Sequence, residues 1–243
     1  MNPKLEAELL RRWPWVFRSL IEASAADAMA LHLDCGDGWF SLFDALGETL
    51  TAQAESHGGK PNVVFGARRE WACCSVDINC VDDFELGAVR ILEGLSIRIC
   101  ELTGAPGRVS IRSGSSMTLA LPVAIRGGYV PTDPELERHV APVPETLAFR
   151  LFQARNQGVL TGFTDLVPGW FDLIDVLVEQ FVHFRDPDEE KHARIYHLQP
   201  EDGRLAVAVT DGGEAQAGAV ACAIAMSARI DPITGVAFVP EIS

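Results

Sequence analysis

Asp44 and Glu48 stand four residues apart, and Asp175 and Glu179 repeat that pair 131 positions later. On a helix this spacing stacks two carboxylates one turn apart, where they could share a proton or hold a cation. A second constellation is Cys35, set between Asp34 and Asp37, with His57 downstream as a base. Nucleophilic catalysis needs a thiol beside a base that a third group orients. Adjacent carboxylates raise a thiol's pKa, so the turn reading of Cys35 outweighs the nucleophile reading. The Asp/Glu pairs fall on the polar faces of amphipathic helices, where solvated charge is the default. Neither Gly36-Asp37-Gly38 nor Gly104-Ala105-Pro106-Gly107 has the lysine and hydroxyl of a phosphate loop.

The elements that must position these groups read as follows. Residues 3–24 form a first helix with Leu5, Leu9, Trp13, Phe17, Leu20 and Ile21 on one stripe and a break at Pro14. Trp13, Trp15 and Phe17 supply core or interface surface. Asp37 is placed to cap a second helix, whose stripe is Trp39, Leu42, Phe43, Leu46 and Leu50, with Asp44 and Glu48 facing away. Strands at 63–65 and 71–80 follow, joined by a charged turn at Ala67-Arg68-Arg69-Glu70. Asp82 and Glu85 have the spacing of a capping box for a third helix along Phe84, Ala88, Ile91, Leu92, Leu95 and Ile99. A hairpin, 108–111 and 117–121, turns at Ser113-Gly114-Ser115.

Thirteen residues, Gly38 to Leu50, return at Gly169 to Phe181 with seven identities, and the same offset carries 18 matches over 67 positions. The chain reads as a tandem duplication. Its expected parts are a first lobe at 1–130, a linker at 131–144 carrying Pro131, Pro134, Pro142 and Pro144, and a second lobe at 145–243. In the second lobe 145–156 answers the first helix, 170–184 the second, and 218–230 mirrors 87–99 down to Ser227-x-Arg229 for Ser96-x-Arg98. Strands are expected at 194–198 and 204–210 around Asp202-Gly203, with one more strand after Gly235. The fold class expected is α+β: two similar lobes, each with helices on one face of a small antiparallel sheet, related by a pseudo-twofold axis.

Lys and Arg total 20 against 34 Asp and Glu, a net charge of −14. That field repels nucleic acid and anionic lipid and favours basic partners. No apolar run approaches the roughly 20 residues of a membrane span, and the N-terminus has no secretory pattern, so a cytoplasmic protein is expected. Five of the six cysteines lie in the first half, which argues for reduced, buried thiols rather than a framework shared by the repeats. A metal site from Cys35, Cys73, Cys80 and His57 is outweighed by ordinary core packing.

The motifs Cys35-Gly36-Asp37-Gly38-Trp39, Ser96-Ile97-Arg98-Ile99-Cys100-Glu101 and Thr118-Leu119-Ala120 resemble an uncharacterised family of small bacterial and phage proteins. The resemblance covers about residues 13–125. Members of that family carry a structural zinc knuckle in their last part. It implies ligands at Cys100, Thr103, Ala120 and Val123, of which only Cys100 is a cysteine or histidine. The resemblance therefore implies a degenerate site whose metal has been replaced by packing, with no metal and no cofactor.

These readings favour a non-catalytic binding protein, most concretely an immunity protein that occludes a secreted toxin with a basic active site. Asp82, Asp83 and Glu85, with Asp186, Asp188, Glu189 and Glu190, are the expected contacts. The alternatives are a hydrolase using Asp44/Glu48 or Cys35 in a cleft between the lobes, and a phage-derived accessory or structural protein.

Overall fold

The computed structural model describes residues 1–22, 33–79, 82–132, 158–185 and 192–241. Cys80, most of the proline-rich stretch, the segment 145–156 and the acidic loop 186–190 lie outside the described residues.

Helix α1 (Pro3–Arg12) starts where the Asn2 side chain accepts the Lys4 N–H, with proline in the first turn, whose N–H groups have no helical partner. It buries Leu5 and Leu9. The helix expected over 3–24 breaks at Trp13, because Pro14 removes a ladder donor, and α2 (Ser19–Glu22) is a single turn. Phe17 is in the core and Trp13 half-buried, but Trp15 is half-exposed beneath Lys60.

Strand β1 (Leu33–Asp34) runs parallel to β2 (Val64–Glu70), and β2 pairs antiparallel with β3 (Cys73–Ile78). The first sheet is thus mixed rather than antiparallel. The charged turn expected at 67–70 is displaced: Arg68 and Arg69 are strand residues opposite Ser75 and Cys74, and the turn is Trp71-Ala72. Asp37 does not cap a helix. It lies in a 3-10 turn, Asp37–Trp39, accepts the Asn2 N–H, and leads into α3 (Phe40–Ser56).

Helix α4 (Asp83–Ser96) opens with the expected capping box: the Glu85 N–H donates to Asp82 Oδ1 at 2.8 Å and the Asp82 N–H to Glu85 Oε2 at 3.2 Å. β4 (Arg108–Arg112) and β5 (Ser115–Leu119) form the foreseen hairpin, and β6 (Val130–Pro131) adds to β4. Between them lies α5 (Leu121–Gly127), where the sequence suggested only the end of a strand. Past the undescribed stretch come α6 (Phe171–His183), the pair β7 (Arg194–Glu201) and β8 (Arg204–Thr210), and α7 (Glu214–Ser227). The strand expected after Gly235 is reduced to a single bridge, Ile230 to Ala237.

The class is mixed α+β, with three small sheets among the described residues. Their helices bury one continuous cluster drawn from both halves of the chain, including Trp39, Phe43, Ile91, Trp170, Phe181 and Met226. At its centre α4 and α7 cross backbone to backbone. A Cβ on Gly87 would stand 1.8 Å from the Ala215 carbonyl oxygen, and one on Gly218 would stand 1.8 Å from that of Phe84, so only glycine fits either position. No described helix is long and apolar enough to cross a membrane.

Candidate functional site

Of the α3 pair, Asp44 does not face solvent and Glu48 is only partly exposed. Trp39, Leu42, Phe43, Leu46 and Leu50 are buried as the stripe requires, yet Asp44 is buried too, on the opposite side of the helix. Amphipathic patterning puts charge in water by default, and a buried charge survives only where partners satisfy it. Asp44 has three. Trp13 Nε1 donates to Oδ1 at 2.8 Å, Arg12 to Oδ2 at 3.1 Å, and Arg229 Nε to Oδ2 at 2.7 Å. Gly47, one turn along, makes room for the indole: its Cβ would lie 2.4 Å from Trp13 Cδ1.

Glu48 is held by Arg204 at 2.8 Å and by Arg229 at 2.7 Å. Burial alone would raise its carboxyl, but the hydrogen bonds from the two guanidinium groups outweigh it and hold the pKa below the usual range. Arg229 is itself oriented by donating to Ala225 O at 2.7 Å. In the other half Arg98 donates to Gly94 O at 2.8 Å and pairs with Glu179 on α6. Each arginine thus reaches a carboxylate of the opposite half. Asp175 is half-buried and Glu179 exposed. The sequence singled out the carboxylates and missed the arginines, although the recurrence of Ser96-x-Arg98 as Ser227-x-Arg229 was a signal for them.

The surroundings of Cys35 disfavour its thiolate. Burial raises its pKa to about 12; the terminal amino group opposes this, and Glu6, Glu101 and Asp34 add to the rise. His57 is exposed, its Nδ1 3.0 Å from Gln53 O and 3.1 Å from Ser56 Oγ. Among the described residues no group of three His, Cys, Asp or Glu side chains is placed to hold a metal ion. Cys100 and Ala120 form a small second cluster with Leu119 and Ala124, and Val123 packs on it; Thr103 is exposed.

A depression of about 380 Å³ does lie between α4 and α6, lined by Cys73, Arg90, Glu93, Glu179, Gln180 and His183. None of Asp44, Glu48 and Cys35 reaches it. Burial raises both the Cys73 thiol and the Glu93 carboxyl, and Ser96 Oγ lies 3.5 Å from the thiol. An open groove of about 520 Å³ lies between β8 and α7, with Val207, Val209, Ala217 and Val220 along it and Asp211 at its rim.

Of the expected contact residues, Asp82 and Asp83 are exposed at the start of α4. Glu85, by contrast, is turned into the helix cap. It is buried, bonded to Asn62 at 2.8 Å and to the Asp82 N–H, and burial pushes its carboxyl up. Asp186, Asp188, Glu189 and Glu190 lie outside the described residues. Because α4 and α7 cross near their first turns, Asp82 and Asp83 share one end of the helix pair with Asp211 and Glu214, which are also exposed. No family model matches the chain, and neither a curated protein nor a solved structure matches it.

Proposed function

We propose that the chain is a non-catalytic, acidic binding protein of the immunity type, which covers a basic toxin, and that it is built as two similar lobes about a pseudo-twofold axis. The two-lobe reading is supported by contacts that recur 131 residues apart. Trp39 Nε1 donates to Ile99 O at 2.8 Å, and Trp170 Nε1 to Ile230 O at 3.4 Å. The Cys74 N–H meets Ser96 Oγ at 2.8 Å, and the Leu205 N–H meets Ser227 Oγ at the same distance. The bridges Ile99 to Pro106 and Ile230 to Ala237 follow the same spacing. Packing of Cys100, Ala120 and Val123 in one apolar cluster fits a knuckle whose metal gave way to side chains.

The binding reading is carried by one observation: the exposed acidic end of the α4/α7 pair stands beside an open apolar groove. An apolar centre with a charged rim is the anatomy of a protein interface, and the surplus of carboxylates would speed encounter with a basic partner. The arginine clamps on Asp44 and Glu48 argue in the same direction, since those carboxylates join the halves and have no free oxygen facing a substrate cavity.

The test is co-purification from the native host at low and high salt, with identification of what is retained. A basic protein that elutes with salt and is lost when Asp82, Asp83, Asp211 and Glu214 are all changed to Lys supports the reading. Retention of no basic protein, or retention indifferent to the charge reversal, sinks it.

A further inference from the structure

Three hairpins among the described residues close with two-residue turns, and in all three both turn residues have positive φ. In two of them glycine takes the second place: Ser113-Gly114 (φ 47° and 82°) and Asp202-Gly203 (φ 48° and 76°). This is the turn that matches strand twist, and it favours Asn, Asp and Gly because side chains crowd the backbone there. The β2–β3 turn is built from Trp71 and Ala72, at φ 52° and 66°. A bulky residue in this region is an outlier that persists only where the surroundings hold it. They do so here. Ala72 is fully buried, its carbonyl accepts Thr118 Oγ1 at 2.8 Å, and the next N–H but one, that of Cys74, is fixed on Ser96 Oγ.

The residue so held is 83 % exposed, more than any other large apolar side chain described. Trp15, half-exposed, is covered by Lys60 at 4.2 Å and Arg18 at 6.0 Å. Among the described residues no ring contact or hydrogen bond is made by the Trp71 side chain. The arginines behind it are occupied, Arg69 with the buried Glu101 at 2.7 Å and Arg68 with Asp77 at 2.8 Å. Among the described residues nothing uses this indole, while the turn that projects it is strained and pinned.

We infer that Trp71 is a preorganised anchor for a protein partner, its indole entering an apolar cleft that offers a hydrogen-bond acceptor to Nε1. Buried tryptophans dominate interface energetics, and with the turn backbone already pinned only the side-chain torsions of Trp71 remain to be ordered on binding. The net charge of −14 favours a protein with basic surroundings over an anionic membrane as the occupant. The inference rests on the binding reading above but uses a different surface: the turn is at the opposite end of β3 from Asp82, so its variants leave the acidic end intact.

The experiment has two arms. In the first, Trp71→Asn relieves the left-handed strain, and its melting temperature rises by about 4 °C; a fall instead makes the indole a structural group and overturns the inference. In the second, a photoreactive phenylalanine at position 71 is cross-linked in host extract, and the captured protein is purified and titrated. A basic protein that binds the native chain at least about 30-fold more tightly than Trp71→Asn, and Trp71→Phe within about tenfold, supports the anchor. Capture of a second copy of this chain, or sedimentation with phosphatidylserine vesicles that depends on Trp71, overturns it. If the charge-reversal experiment yields a partner that Trp71→Asn binds equally, the anchor fails and the binding reading stands. If neither route yields a partner, both fail.

Discussion

Arg229 donates from Nε to Asp44 Oδ2 at 2.7 Å, joining residues 185 positions apart in the chain. Both side chains are nearly buried, and the same guanidinium also holds Glu48. Removing one member of a buried pair costs about 3–5 kcal/mol when the other charge is left uncompensated, and with Arg12 and Trp13 still on Asp44 and Arg204 on Glu48 the loss falls at the low end of that range. Arg229→Met is therefore expected to lower unfolding stability by about 3 kcal/mol in urea titrations. Its counterpart Arg98 pairs with Glu179, whose side chain is 54 % exposed, and such pairs contribute about 1 kcal/mol or less. Equal losses in the two variants would show that Asp44 is satisfied without Arg229.

The crossing of α4 and α7 makes a sharper demand. Gly87→Ala places a methyl group 1.8 Å from a backbone oxygen, which no rotamer can relieve. Overpacking against side chains costs about 1–3 kcal/mol, and here the helices themselves must separate. The variant is expected to be insoluble or to melt at least 10 °C lower. Gly59→Ala is the control: the nearest atom to its added Cβ is 3.9 Å away, and its stability should stay the same or rise slightly. A well-folded Gly87→Ala protein would mean the helices do not touch at this point.

What could be read from the sequence was what a single segment decides. The stripe of α3, the Asp82/Glu85 capping box and the Asp202-Gly203 turn each follow from periodicity or local hydrogen bonding, and each is in place. Partners brought by distant segments were not legible. Periodicity assigns Asp44 to the polar face but cannot report that Arg12, Trp13 and Arg229 arrive to cover it. The first hairpin was misplaced for a related reason: Arg68 and Arg69 have turn-like polarity, whereas the true turn, Trp71-Ala72, has no turn residue at all and is held by Thr118 from another sheet. The acidic surface was half legible, since Asp82 and Asp83 are exposed while the cap consumes Glu85.

Acid titration should separate the partly exposed Glu48 from the buried Glu101 by sign. Glu48 has a lowered pKa in the folded chain, so the unfolded state binds its proton first as pH falls. Its stabilisation is full above the ordinary glutamate pKa and is lost below it. For Glu101, burial raises the carboxyl against the opposing pull of Arg69, and its contribution runs the other way: present at low pH and lost as pH rises through the folded value. Oε2 of Glu101 has no partner among the described residues, in keeping with that direction. Measured between pH 3 and 7, the stability of Glu48→Gln relative to the native chain should fall as pH rises, and that of Glu101→Gln should climb. Parallel curves for both variants would contradict these assignments.

Thiol chemistry tests the nucleophile reading directly. Burial raises Cys35 and Cys222 to about 12 and Cys74 well above the usual value. At pH 8 a thiol of pKa 12 is about one part in ten thousand thiolate, against about a quarter for an exposed cysteine. Because the thiolate is the species that alkylates, iodoacetamide should leave Cys35, Cys74 and Cys222 unmodified in the native protein and label all three in urea. Peptide mapping by mass spectrometry reads each site separately. Rapid native labelling at Cys35 that is suppressed in His57→Ala would point instead to a thiolate formed by transfer of its proton to a base. The hydrolase alternative would then regain the residue that burial now denies it.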